Sequence, residues 1–180
     1  MSLTPTVYAG IGSRETPLDV LELMETLAYR LAEQGHILRS GGAPGADQAF
    51  ERGCDAAQGP KQIYIPWNGF QGRSNRDDPF VHAGVCMGAF KMAAQIHPNW
   101  AACSNAARKL HARNCYQILG SNLDTPVSDV VCWTPNGSGS GGTGQAIRLA
   151  RKLGIQVWDL GNQETYLRFV GMLGLPSIDA

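Results

Sequence analysis

Nowhere in the 180 residues does an unbroken apolar run approach the roughly 20 residues of a membrane-spanning helix. The opening MSLTPTVYAG also lacks the basic-then-apolar layout of a secretory signal, so a soluble, cytoplasmic protein with no membrane partner is expected. Charge is scarce: charged residues make up 17% of the chain, against roughly 25% in ordinary soluble domains. Fifteen Lys and Arg balance fifteen Asp and Glu, which excludes an overall field that would draw in nucleic acid or an anionic membrane. Any anion site must be local. The five cysteines (Cys54, Cys86, Cys103, Cys115 and Cys132) are odd in number with no two closely spaced, which argues for reduced, structural thiols. The four histidines (His36, His82, His97 and His111) include no H-x-x-x-H pair, so no metal is expected.

What the chain has in plenty is glycine, 22 residues, where the usual share is about 7%. Much of it lies in three loops, GIGSRE (10–15), SGGAPGAD (40–47) and TPNGSGSGGTG (134–144). Each follows an apolar segment that reads as a strand: TVYAGIG (6–12), HILRS (36–40) and SDVVCWTP (128–135). KQIYIPW (61–67) and IQVWDLG (155–161) supply two more. Helical spacing of apolar residues marks 17–34, 45–57, 80–96, 101–119, 145–153 and 163–173. Between them, 68–79 is polar, carries Arg73, Arg76, Asp77 and Asp78, and reads as a loop or lid.

Strands alternating with helices over the whole length predict a single α/β domain spanning 1–180. It is a Rossmann-like, doubly wound, mainly parallel sheet of about five or more strands with helices on both faces. In such sheets ligands bind beyond the carboxyl ends of the strands, so the three glycine loops are expected to converge on one edge.

Backbone N–H groups exposed at a helix start have no partner within the helix and form an anion cradle, which makes phosphate the expected occupant. Gly41, Gly42, Gly45 and 141–144 allow close backbone approach, and Ser13, Ser40, Ser138, Ser140 and Thr143 add hydroxyls. No G-x-x-x-x-G-K-[ST] occurs, and GGTGQA has no lysine to reach terminal phosphates, which excludes a P-loop triphosphatase. GIGSRE places Glu15 where the dinucleotide fingerprint has its last glycine. GSGSG (137–141) fits a nucleophile elbow by letter, but no placed acid and histidine accompany it.

Among charged residues, Arg14 follows the first strand and either grips phosphate or pairs with Glu15 or Asp47. Asp47 either caps its helix or accepts from ribose hydroxyls. Arg113 and Asn114 either face solvent or reach the strand ends. Trp67 and Trp133 end strands and are candidates for stacking a base. Val81, Val85, Met87, Phe90, Met92, Ile96, Trp100 and Leu110 offer more apolar surface than one sheet face needs, which predicts a homodimer or higher homo-oligomer.

Taken together, YAGIGSRETP, SGGAPGAD, HARNCYQILG, SDVVCWTP and GGTGQAIRLARKLGIQVWDLG resemble the SLOG superfamily over residues 7–161, and within it the Rossmann domain of the DprA/Smf DNA-processing proteins. The resemblance implies a nucleotide or nucleotide-derived ligand at the loops. In various branches it also implies N-glycosidic cleavage, loading of single-stranded DNA or sensing of cyclic nucleotides. More distantly the chain is similar to the Lonely Guy phosphoribohydrolases, whose catalytic arginine position matches Arg113, but Ala146 stands where they carry a catalytic glutamate.

The expected function is therefore binding of a phosphate-bearing nucleotide, as a sensor or sequestering protein, without a cofactor. Its ligand set is Gly12, Ser13, Arg14, Ser40, Gly41, Gly42, Asp47, Arg113, Asn114, Gly142, Thr143 and Gly144. One alternative is an N-glycosidase acting on nucleoside monophosphates, with Glu15, Asp47 and Arg113 as catalytic candidates. The other is a DprA-like binder of single-stranded DNA, using Arg73, Arg76, Arg108, Lys109 and Arg113 if they cluster.

Overall fold

The computed structural model describes residues 4–176, so both ends of the expected 1–180 domain lie outside the described residues. The elements run β1 (Val7–Gly10), α1 (Leu18–Glu33), β2 (Ile37–Ser40), α2 (Ala46–Ala56), β3 (Lys61–Ile65), β4 (Val81–Ala83), α3 (Met87–Ile96), α4 (Asn105–Leu119), β5 (Asp129–Cys132), α5 (Thr143–Lys152), β6 (Gln156–Asp159) and α6 (Gln163–Leu173). All pairings are parallel, in the order β4-β3-β2-β1-β5-β6. This is the doubly wound Rossmann-like sheet that the alternation of elements predicts.

Successive strand residues alternate between two cores. Tyr8, Leu38 and Val131 face α1, α2 and α6, whereas Ala9, Val130 and Cys132 face the layer of α3, α4 and α5. The chain winds outward from β1 through β4 in one direction and through β5 and β6 in the other. The topology therefore reverses between β1 and β5, where a crevice opens at the carboxyl ends.

Helices α1 and α2 pack so closely that a Cβ on Gly53 would overlap the Glu25 carbonyl oxygen and come within 2.9 Å of the Ala28 methyl. Gly53→Ala is accordingly expected to lower stability by roughly 1–3 kcal/mol in urea unfolding. The helix-propensity gain of about 1 kcal/mol is outweighed because the obstructing atom is backbone. A variant more stable than the parent would show that α1 can move aside.

Two expectations about the middle of the chain change. Residues 81–83 form strand β4 where a helix is expected over 80–96. Three residues are too few to display a period, and Gly84 (φ +95°) separates the strand from the helix that begins at Met87. Helix α4 likewise starts at Asn105 rather than 101, because the Ser104 hydroxyl accepts from Ala107 N–H and caps it there.

The apolar surplus over 80–119 is largely taken up within the chain. Val81 is buried, Val85, Phe90, Met92, Ile96 and Trp100 pack on the core of the α3, α4 and α5 layer, and Leu110 packs on a third cluster with Ile63 and Phe70. Of the eight residues, Met87 is exposed. A second helical layer over the sheet accounts for most of that surface.

Candidate ligand-binding cleft

A cleft of about 740 Å³ opens at the switch between β1 and β5. Gly12, Ser13, Arg14 and Glu15 line it from the first loop, Ala43 and Asp47 from the second, and Pro135 and Ser140 to Thr143 from the third. Helix α4 contributes Ala107, Leu110, His111, Arg113, Asn114 and Gln117.

The glycine loops do not play equal parts. The second loop is closed on itself: Ala43 N–H donates to Asp47 Oδ2 at 3.2 Å, and Gly12 N–H also supports this carboxylate. Two donors that would cradle phosphate there, Ala43 N–H and Ala46 N–H, which donates to the Ser13 carbonyl, are already in use. Gly41 is bare so that the Arg113 guanidinium can lie against it, since a Cβ would overlap Nη1 and Cζ. Arg113 Nη1 donates to the carbonyls of Gly41 and Tyr64, the latter at 3.0 Å, and its Nε to Asn114 Oδ1 at 3.1 Å. Nη2 has no protein acceptor among the described residues. Asn114 Nδ2 in turn donates to the Gly142 carbonyl at 2.9 Å, so the Arg113–Asn114 pair ties the second loop to the third.

The third loop is open. Ser140, Gly141 and Gly142 are exposed, and no side chain caps the N-terminus of α5. Its base is fixed from β6: Asp159 accepts from Thr134 N–H, from the Thr134 hydroxyl and from Gly161 N–H, while Thr134 Oγ1 accepts from Gly139 N–H at 2.8 Å.

Ser40, Gly41, Gly42 and Gly144 stand behind the cleft wall rather than in it. Ser40 donates to the Gly10 carbonyl, Gly42 faces Arg73, and Gly144 lies against the Gly139 carbonyl. Gly12, Ser13, Arg14, Asp47, Arg113, Asn114, Gly142 and Thr143 line the cleft, together with Glu15. Neither tryptophan reaches it: Trp67 packs edge-on to Phe70 beyond the end of β3, and Trp133 packs on the α1 side of the sheet. The α4 residues Ala107, Leu110, His111 and Gln117 carry no signal on their own. They are, however, the helical neighbours of Asn114 at three- and four-residue steps, so placing Asn114 at the cleft would have brought them with it.

Arg14 is exposed and pairs with neither Glu15 nor Asp47 among the described residues. Arg73 is engaged with Glu51 and Asp78, Arg108 donates to the carbonyls of Trp100 and Ala101, and Arg113 is buried. These three serve separate local contacts, whereas Arg76 and Lys109 are exposed, Lys109 with its ammonium 5.9 Å from the centre of the Trp67 ring.

Asp47 is 3% exposed, and burial lifts its carboxyl from the ordinary 3.8 to about 6 against the opposing pull of Arg113 and the two N–H groups. An acid whose folded value is raised contributes stability that is full below its unfolded value and is lost as pH rises through about 6. The gap corresponds to about 3 kcal/mol. Urea unfolding from pH 4.5 to 7.5 is thus expected to show a steeper fall with pH for the parent than for Asp47→Asn, and identical slopes would contradict the burial argument. His111 is moved the other way, down to about 4, by burial and by the charges of His97, Arg148 and Arg113.

No protein-family model and no curated protein sequence matches the chain. Among solved structures, the molybdenum cofactor carrier protein from Chlamydomonas reinhardtii is similar at 17% identity and TM-score 0.52, over 94% of this chain and 84% of that one. A second structure of that carrier gives 18% and 0.53 over the same shares. DNA processing protein A from Helicobacter pylori gives 18% identity and TM-score 0.43, over 94% of this chain and 81% of that one. At these identities the likeness to the carrier protein shows the fold alone, a Rossmann-like parallel α/β sheet. No helix among the described residues is long and apolar enough to cross a membrane.

Proposed function

We propose that the cleft binds a phosphate-bearing nucleotide or nucleotide-derived molecule and that the protein acts as a carrier, sensor or sequestering protein for it. The observation that carries this reading is the uncapped N-terminus of α5, which enters the cleft through the exposed Gly141 and Gly142 beside an unpaired Arg14. Helix N–H groups, the helix dipole and a guanidinium then act together on one phosphate. Ala107 and Leu110 of α4 offer an apolar wall for the base, and Asp47 can accept from a ribose hydroxyl. The carrier role of the Chlamydomonas protein, as its name states it, supports binding over catalysis.

Calorimetry with mononucleotides, ADP-ribose and cyclic nucleotides is expected to find one site per chain. Arg14→Ala and Thr143→Ala should each weaken it by roughly tenfold, as charge-assisted and neutral hydrogen bonds to phosphate are removed. Failure of every nucleotide to bind overturns the proposal.

One observation favours a second reading, N-glycosidic cleavage. Asp47 is a buried acid lifted to about 6 inside the cleft, a value suited to exchanging a proton near neutral pH. Water would attack the anomeric carbon while the departing base takes up a proton. Free base released from a nucleoside monophosphate by the parent, and abolished in Asp47→Asn, would replace the binding reading with this one. Self-association retains Phe80 and Met87 as large exposed apolar residues in the 80–119 segment, and sedimentation at micromolar concentration tests it.

A further inference from the structure

Three donors from the end of α3, the turn after it and helix α4 meet beside the cleft. His97 follows the last residue of α3, Cys103 follows the short turn Trp100–Ala102, and His111 lies within α4. One ligating atom from each lies within 4.8 Å of the other two. Cys103 Sγ is 3.8 Å from both ring nitrogens of His97, and the rings of His97 and His111 are 4.4 Å apart between centroids. A tetrahedral zinc ion with arms of about 2.0–2.3 Å holds its donors roughly 3.3–3.8 Å from one another, so small side-chain rotations suffice to close the set.

A second, independent observation points to a ligand. His111 Nδ1 is buried and has no hydrogen-bond partner among the described residues, although a buried polar atom of this kind is ordinarily satisfied. The other contacts within the set are weak. Besides its contact with Cys103 Sγ, His97 Nδ1 accepts the exposed Asn99 N–H at 3.1 Å, a bond that water can replace, and Cys103 Sγ donates to the Asn99 carbonyl at 3.5 Å.

We propose that His97, Cys103 and His111 form a binding site for a zinc-class divalent cation, held by two imidazoles and one thiolate with a fourth position left open. Two imidazole nitrogens and a thiolate sulfur suit zinc among the abundant divalent ions, whereas magnesium and calcium prefer oxygen. Coordination deprotonates the Cys103 thiol and releases one proton to solvent, leaving the ion and its thiolate with a net single positive charge. Because His111 also lines the cleft, the ion stands in the cleft wall. The expectation of no metal rested on the absence of H-x-x-x-H. The donors here are spaced H-x5-C-x7-H across two turns, a pattern that becomes a site only when α3 folds back against α4.

Cobalt(II) titrated into the full chain tests this by absorbance. The expected result is one ion per chain, with a thiolate-to-cobalt charge-transfer band in the near ultraviolet and the strong visible bands of a tetrahedral site, all displaced by zinc. Cys103→Ser is expected to lose the charge-transfer band, and His97→Gln and His111→Gln to lose the tetrahedral visible bands. Cys86→Ser, which removes an exposed thiol elsewhere, is expected to keep both. Absence of the band from the parent in excess cobalt, or a band that survives Cys103→Ser and disappears in Cys86→Ser, overturns the proposal.

Discussion

Gly142→Asp is expected to bind a phosphate-bearing nucleotide at least a hundredfold more weakly than the parent while unfolding at a slightly higher temperature. The backbone at Gly142 is already helical (φ −61°, ψ −36°), and a Cβ there would meet nothing within 4 Å. An L residue therefore fits without strain and reduces the freedom of the unfolded chain, a gain of about 0.4–1 kcal/mol. An aspartate at the N-terminus of α5 also interacts favourably with the helix dipole, adding about 0.3–1 kcal/mol of the same sign. The new carboxylate would occupy the space reserved for phosphate. Two unit charges about 4 Å apart near a protein surface repel by about 4 kcal/mol, which after partial screening still exceeds a hundredfold in affinity. Gly142→Asn, of the same shape without the charge, should keep much more of the affinity. Thermal unfolding and calorimetry on the three proteins separate the effects, and an aspartate variant that binds like the parent would place the phosphate elsewhere.

The largest loss of stability is expected from Arg113→Met, about 3–5 kcal/mol at pH 7.5, the range for breaking one side of a buried charge pair. The loss has identifiable parts. The carbonyls of Gly41 and Tyr64 and the Asn114 side-chain oxygen lose their donors, and Asp47 loses the charge that opposes its burial. The last part depends on pH. Without Arg113 the Asp47 carboxyl rises further above about 6, so at pH 5 it is protonated and the variant's deficit shrinks. Urea unfolding at both pH values reads this directly. A deficit under about 1 kcal/mol would mean that water replaces the guanidinium, and a deficit equal at both pH values would uncouple it from Asp47.

The parts of the molecule legible in the sequence are those that repeat locally. Apolar segments ending in GIGSRE, SGGAPGAD and TPNGSGSGGTG mark three strands and the edge on which their loops meet, because a strand running into a glycine turn is a contiguous pattern. The division of labour among those loops was not legible. SGGAPGAD has the composition of an anion cradle, yet Asp47 folds back onto Ala43 N–H and the bareness of Gly41 accommodates Arg113, 72 positions along the chain. The Asp159–Thr134 clamp beneath the third loop escaped for the same reason: it joins residues 25 apart through side chains that look ordinary in isolation. Strand β4 was lost to its brevity. The cluster at His97, Cys103 and His111 was lost to a rule of spacing within one helix, which says nothing about donors brought together by two.

The central claim, that phosphate sits at the start of α5 between the first and third loops, is tested most directly by backbone amide NMR during titration of the isotopically labelled parent with a nucleoside monophosphate. The predicted result is saturable shifts largest at Gly141, Gly142 and Thr143, with smaller ones at Ser13 and Arg14, and little change at Ala43, whose amide is held by Asp47. Saturable shifts centred on the second loop, or none at α5 with any nucleotide, would contradict it.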